Sequence, residues 1–198
     1  MQKTVENKNQ LYPVFLKLND LQTLLVGAGN VGLEKLHSIL SNSPEASVTV
    51  VAPSVKQDVK DLLEKHPSCS IIERTFEYSD LEKKDLIILA TDDKELHQQI
   101  RAEARKRSLL INVADTPVLC DFYLGSIVQK GYVKLAISTN GMSPTISKRL
   151  KEVLNDVLPD ELDEVIEQLN EIRNSLKGDF AEKVQKLNEI TKQLTTRD

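Results

Sequence analysis

The stretch Leu24-Leu25-Val26-Gly27-Ala28-Gly29-Asn30-Val31-Gly32 decides how this chain is read. Thr23 to Val26 lean toward a β-strand, and from Asn30 the apolar positions Val31, Leu33, Leu36, Ile39 and Leu40 recur at helical spacing. Between them Gly27, Gly29 and Gly32 stand in G-x-G-x-x-G order. In such a turn the first glycine permits the tight bend and the second lets a diphosphate approach the backbone. The third lets the helix press against the strand. Free amides and the dipole at the helix start then favour an anion. The spacing alone is a weak signal, and a turn required only by packing is the competing reading. Its weight comes from lying between a strand and a helix at the head of an alternating segment.

That alternation continues along the chain. Continuous apolar runs predict strands over 48–51, around 71–72, over 85–90 and over 109–113, with Pro53 expected to end the second strand. Helical patterns fall over 55–64 and 93–107. Strand and helix in succession, with strands apolar throughout, imply an α/β fold with a parallel sheet covered on both faces. Ligands of such Rossmann-type sheets bind beyond the carboxyl ends of the strands. Gly27–Gly32, Ala52–Ser54, Thr91–Asp93 and Asn112–Asp115 are therefore expected along one functional rim.

The pattern changes after Pro117. A strand is expected over 132–138, and Ser143-Pro144 opens a helix reaching about Leu158, with Ser as N-cap and Pro at the first helical position. Leu162, Val165, Ile166, Leu169, Ile172 and Leu176 then mark an amphipathic helix, broken at Gly178. Phe180, Val184, Leu187, Ile190 and Leu194 mark another. At the other end, residues 1–10 read as a loose tail and 11–18 as a short extended segment interrupted by Pro13. The expected organisation is a Rossmann domain over 1–115, a small α+β region over 116–150 and a helical region over 151–198.

Composition narrows the function classes. The 198 residues are 40% hydrophobic and 28% charged, an ordinary globular balance. A net charge of −4 disfavours nucleic-acid binding by general electrostatics, and aromatic residues are only 4%. Cys69 and Cys120 match no C-x-x-C spacing, and His37, His66 and His97 are scattered, so neither a disulfide framework nor a zinc site is expected. The two cysteines read as small buried apolar residues. The polar first ten residues have no signal-peptide core, and no apolar run approaches the ~20 residues of a membrane span. A cytoplasmic protein is expected.

Several rim residues could carry chemistry. The residue about 20 positions beyond a nucleotide turn is often an acid that bonds ribose hydroxyls. Here the second strand ends Val51-Ala52-Pro53-Ser54, so Ser54 or backbone groups would serve; this position leaves NAD and NADP both open, with the absence of Arg a mild lean towards NAD. Thr91 could line the cofactor through its backbone, while Asp92 or Asp93 reads as an N-cap. Asp115 is either a general base or holder of a substrate cation, or a turn residue before Thr116-Pro117. Ser138, Thr139, Asn140 and Ser143 precede a helix that carries Lys148, Arg149 and Lys151. That end favours anions, with capping and a solvated basic face as the plainer account.

Taken together, these segments resemble the precorrin-2 dehydrogenase family, which includes the N-terminal dehydrogenase/ferrochelatase part of siroheme synthases. The resemblance is carried by Tyr12-Pro13-Val14-Phe15, Val26-Gly27-Ala28-Gly29-Asn30-Val31 and Val50-Val51-Ala52-Pro53. It continues through Ala90-Thr91-Asp92-Asp93, Asn112-Val113-Ala114-Asp115 and Ile137-Ser138-Thr139-Asn140-Gly141-Met142-Ser143-Pro144. It spans roughly residues 11–155, and the last two motifs are far more specific than the glycine turn.

The resemblance implies NAD-dependent oxidation of precorrin-2 to sirohydrochlorin in siroheme synthesis. Some members also insert Fe²⁺ as a second substrate. By the same likeness, Asn30-Val31 and Pro53-Ser54 contact NAD, and Asp115 falls on an aspartate implicated in both dehydrogenation and chelation. Members are homodimers whose middle region exchanges contacts between subunits. Thr139 stands where some bifunctional members have a serine that is phosphorylated. Two rival readings remain at this point: a non-catalytic NAD-sensing regulatory module, and a chelatase that needs no NAD.

Overall fold

The computed structural model describes residues 9–176 and 179–192. Residues 1–8 of the expected tail, the break at Gly178 and the apolar position Leu194 lie outside the described residues. Two compact units separate within the chain, Leu11–Leu124 and the part from Gly125 onward. Residues 116–124, grouped by sequence with the middle region, thus belong to the first unit.

The first unit is a five-stranded sheet of β1 (Gln22–Ala28), β2 (Ser47–Val55), β3 (Ser70–Ile72), β4 (Leu86–Leu89) and β5 (Leu110–Val113), in the order β3-β2-β1-β4-β5. All four pairings are parallel. Helices α1 (Asn30–Asn42), α2 (Gln57–Leu63) and α3 (Lys94–Lys106) alternate with the strands. This is the expected α/β architecture, and its strand order reverses between β1 and β4. The crevice above that switch point is where such sheets take ligands.

Side-chain alternation along each strand divides the core into two layers. Leu25, Ala28, Val50 and Ile88 pack with Leu36, Ile39 and Leu40 of α1 and with Val59 and Leu63 of α2. Leu24, Val26, Ile87, Leu89 and Ile111 face the other way, onto Ile100 and Ala104 of α3 and onto Leu81. All four residues of β4 are buried, as a central parallel strand requires.

One expectation needs correction here. Pro53 does not end β2. The β1–β2 register runs Val26↔Val51 and then Ala28↔Val55, so Pro53 sits in a bulge, where the missing N–H breaks no ladder bond. Residues 11–18 join no strand of the sheet, and Tyr12, Val14 and Phe15 on them are exposed.

An ion pair fastens the return from β5. Arg101 on α3 grips the Asp121 carboxylate with both terminal nitrogens, one at 2.6 Å, and Asp121 also accepts the Ile111 N–H at 3.2 Å. The guanidinium is buried, and it holds the Asp121 carboxyl below the usual carboxylate range. Removing one partner of such a pair strands the other charge, so Arg101→Met should cost about 2–3 kcal/mol at pH 7. A depressed acid stabilises the fold above its unfolded pKa of about 3.9, and this is lost as pH falls through the folded value. Urea unfolding should therefore show the wild-type advantage shrinking below pH ~4; an advantage that stays constant with pH would refute the coupling.

The second unit holds an antiparallel hairpin, β6 (Ser126–Lys130) with β7 (Val133–Ile137), followed by α4 (Pro144–Val157), α5 (Leu162–Ser175) and α6 (Phe180–Thr191). Strand β6 was not anticipated from the sequence. Gly131 turns the hairpin at φ +50°, and the Tyr132 N–H is received by the Asp163 carboxylate at 2.7 Å. Helix α4 packs on β6 and β7, and α5 packs on α6.

Candidate functional site

The glycine turn follows from clearances that differ at each glycine. Gly27 has φ +103°, and a Cβ there would lie 2.4 Å from the carbonyl oxygen of Ala90. Only glycine lets β1 turn so close to the end of β4. A Cβ on Gly32 would lie 2.2 Å from the Gly27 carbonyl oxygen, so this residue lets α1 press on the turn. Gly29 differs from both. It caps α1 in an extended conformation, φ −84° and ψ −158°, and an added Cβ meets nothing within 4 Å. Folding does not demand a glycine here, and open space adjoins its backbone at the start of a 13-residue helix. That space fits a dinucleotide diphosphate received by the free amides of α1.

The other rim residues of the first unit gather at the same edge of the sheet. Pro53 and Ser54 are exposed beyond the buried end of β2. Thr91 follows β4, and its methyl group would lie 2.9 Å from a Cβ on Gly27, which puts it beside the turn. Asp93 is the N-cap of α3 and accepts the Leu96 N–H at 2.9 Å, which decides between the two aspartates.

Three groups near the rim were not singled out as site residues by sequence. Lys56 follows β2 and its ammonium donates to Oδ1 of Asn30, the first residue of α1. His97, only 3% exposed, lies 2.8 Å from the Thr91 hydroxyl through Nε2. Burial pushes its imidazole below the usual range despite Asp93 and Asp92 nearby, which favours the neutral ring. Cys120 clasps the end of β5: its sulfur accepts the Val113 N–H at 3.1 Å and lies 3.2 Å from the Val113 carbonyl. Burial raises its thiol pKa, which favours the protonated form. Both cysteines are partly buried and free.

Asp115 stands just beyond that clasp. The Ala114 N–H still bonds to Leu89 of β4 at 2.9 Å, and Asp115 then turns with φ +56°. Its side chain is exposed and, among the described residues, makes no hydrogen bond or ion pair. Thr116, not Asp115, caps the short 3₁₀ turn Pro117–Leu119. A left-handed backbone at a residue other than glycine is uncommon, though Asp tolerates it better than most. Nothing in the local packing uses the carboxylate, which leaves it free for chemistry.

The remaining candidates form a constellation in the second unit. Ser143 caps α4 by accepting the Ile146 N–H at 3.2 Å, as its sequence position predicts. Thr139 receives the Ser143 N–H at 3.2 Å and lies 3.2 Å from the Ser147 hydroxyl. Ser138 accepts the Asn140 N–H at 3.2 Å, and Asn140 and Gly141 both take positive φ. Three of the four expected polar side chains are thus engaged in shaping the turn. Arg149 pairs with Glu152 at 2.6 Å, while Lys148 is exposed and has no ion pair among the described residues. Among the described residues no three His, Cys, Asp or Glu side chains converge to hold a metal, and no helix is long and apolar enough to cross a membrane.

Sheet order and glycine turn define a dinucleotide-binding domain of the Rossmann class. The profile of a family described as "Putative NAD(P)-binding" matches residues 14–126. The chain is 33% identical over 188 residues to a siroheme synthase of Pseudoalteromonas atlantica, covering 92% of this chain and 37% of that protein. A siroheme synthase of Methylococcus capsulatus is 37% identical over 139 residues, 70% of this chain and 29% of that protein. The chain therefore spans about a third of the length of the curated relatives it matches. A solved structure titled SirC, precorrin-2 dehydrogenase, superposes with a TM-score of 0.71 at 26% identity, covering 93% of both chains. The chain belongs to this "Putative NAD(P)-binding" family, and it is similar to the siroheme synthases and the precorrin-2 dehydrogenase structure just described.

Proposed function

We propose that the chain is an NAD-dependent precorrin-2 dehydrogenase, oxidising precorrin-2 to sirohydrochlorin in siroheme synthesis. The observation that carries this reading is the pairing of an open cradle at Gly29 with the unengaged carboxylate of Asp115 on one sheet rim. NAD⁺, when bound, supplies the hydride acceptor. Gly29, Asn30 and Val31 receive its diphosphate through backbone amides, and Pro53, Ser54 and Thr91 line the nucleotide. Asp115 takes the proton that the macrocycle loses as the hydride leaves. The acidic side chains of the tetrapyrrole are assigned to Ser138, Thr139, Asn140, Ser143, Lys148 and Arg149. Lys148 is the readiest charge partner, because Arg149 already has one.

A homodimer suits the second unit. Ile146, Leu150, Val153 and Val157 form a stripe along α4 at helical spacing, and each is between 44% and 71% exposed. A second copy of the chain would remove that apolar surface from water. Two free thiols suit the reducing cytoplasm.

The test is anaerobic incubation of the purified protein with precorrin-2 and NAD⁺, following NADH absorbance. NADH should form in step with sirohydrochlorin, from a species of twice the chain mass by light scattering. Nucleotide binding without NADH formation would favour the sensing module instead, and a monomer would remove the dimer. Adding Fe²⁺ to the sirohydrochlorin product measures whether this chain also carries the chelatase step.

A further inference from the structure

The connection leaving β2 carries a charge that the glycine turn does not explain. Lys56 follows the strand directly, and its N–H bonds to the carbonyl of Ala28, the last residue of β1, at 3.3 Å. That bond draws the connection up to the start of the glycine turn's second half. The Lys56 ammonium then reaches across to Oδ1 of Asn30. Both side chains are exposed. An exposed lysine ordinarily samples many rotamers, and confining it opposes up to ~2 kcal/mol of side-chain entropy. A neutral carboxamide is a modest reward for that confinement, and it is a partner that a doubly charged oxyanion readily displaces.

The charge around this lysine points the same way. Dinucleotide sites commonly place an acid at the end of the second strand, to accept the ribose hydroxyls. Here Ala52-Pro53-Ser54-Val55-Lys56 contains no acid, so the connection offers one positive charge and nothing on it to neutralise that charge. The ammonium is anchored at the first residue of α1, next to Gly29, where the backbone is open to a ligand.

We propose that Lys56 is the cation that contacts a phosphate of the bound nucleotide, with Asn30 holding it in place until the nucleotide arrives. The proposal rests on the dinucleotide reading of the glycine turn and adds a side-chain contact to it. The phosphate chemistry has two sources: the diphosphate common to NAD and NADP, and the 2′-phosphate of NADP alone.

Calorimetric titration of wild type and Lys56→Gln with NAD and with NADP tests it. A charged hydrogen bond at an exposed edge predicts about tenfold weaker binding in the variant. Equal losses for both nucleotides support the proposal with the diphosphate as the contact. A loss confined to NADP supports it with the 2′-phosphate. The variant should also show a shallower dependence of affinity on salt, while its melting temperature stays within about 1 °C because the residue is exposed. Unchanged affinity for both nucleotides, with wild-type binding intact, would overturn the role of Lys56 alone. Wild-type protein that binds neither nucleotide would overturn the dinucleotide reading and this contact with it.

Discussion

Asp115→Asn should lower precorrin-2 turnover by at least about a hundredfold while leaving NAD affinity within about twofold. General acid–base catalysis by one positioned side chain contributes ~10²–10⁴, and asparagine removes it without changing size. The substitution is clean for a conformational reason as well. Asp115 takes φ +56°, and asparagine tolerates that region as well as aspartate does. No hydrogen bond among the described residues depends on the carboxylate, so melting should be unaffected. The measurement is single-turnover NADH formation beside calorimetric NAD binding. A variant with full activity would take Asp115 out of the chemistry, and one that also loses NAD binding would recast it as a cofactor contact.

Gly29→Asp should separate binding from folding. Aspartate is a better N-cap than glycine by a few tenths of a kcal/mol, and the observed φ of −84° suits any L-residue. With nothing within 4 Å of the added Cβ, thermal stability should hold or rise slightly. The new carboxylate nevertheless occupies the space assigned to the diphosphate and repels it. NAD affinity should fall more than about a hundredfold, since both lost contacts and like-charge repulsion act together. Gly27→Ala and Gly32→Ala supply the contrast. Their methyl groups would lie 2.4 Å from Ala90 and 2.2 Å from Gly27 carbonyl oxygens, so both should melt lower by several degrees. Retained NAD binding in folded Gly29→Asp would disprove the cradle.

The contrast among the glycines also marks the limit of reading sequence. G-x-G-x-x-G assigns the first and third glycines to the fold and the second to the ligand, but it does not say how strictly each position excludes a side chain. That strictness lies in the clearances to Ala90 and Gly27 and in the open space at Gly29, which spacing does not contain. The sheet was legible because each of its strands contains a short apolar run, as Leu86–Leu89 illustrates. Strand β6 was not, because Ser-Ile-Val-Gln-Lys has two apolar residues and depends on its pairing with β7. The candidate site divides along the same line. Gly27, Asp93, Ser143 and Asp115 announce themselves through local chemistry: turn, cap and rim position. Lys56 against Asn30 and Arg101 against Asp121 join residues distant in sequence, and Cys120 returns to Val113 across a loop, so no local pattern encodes them.

The bulge between β1 and β2 has one more effect. From Val26↔Val51 to Ala28↔Val55 the second strand spends two residues more than the first, and Pro53 and Ser54 ride outward on that slack. Their number is set by that register. Side chains alternate along an extended chain, so shortening the loop by a single residue would swing the ammonium that follows to the wrong side of the ribbon. Length at this junction, as much as lettering, is what the molecule has to keep.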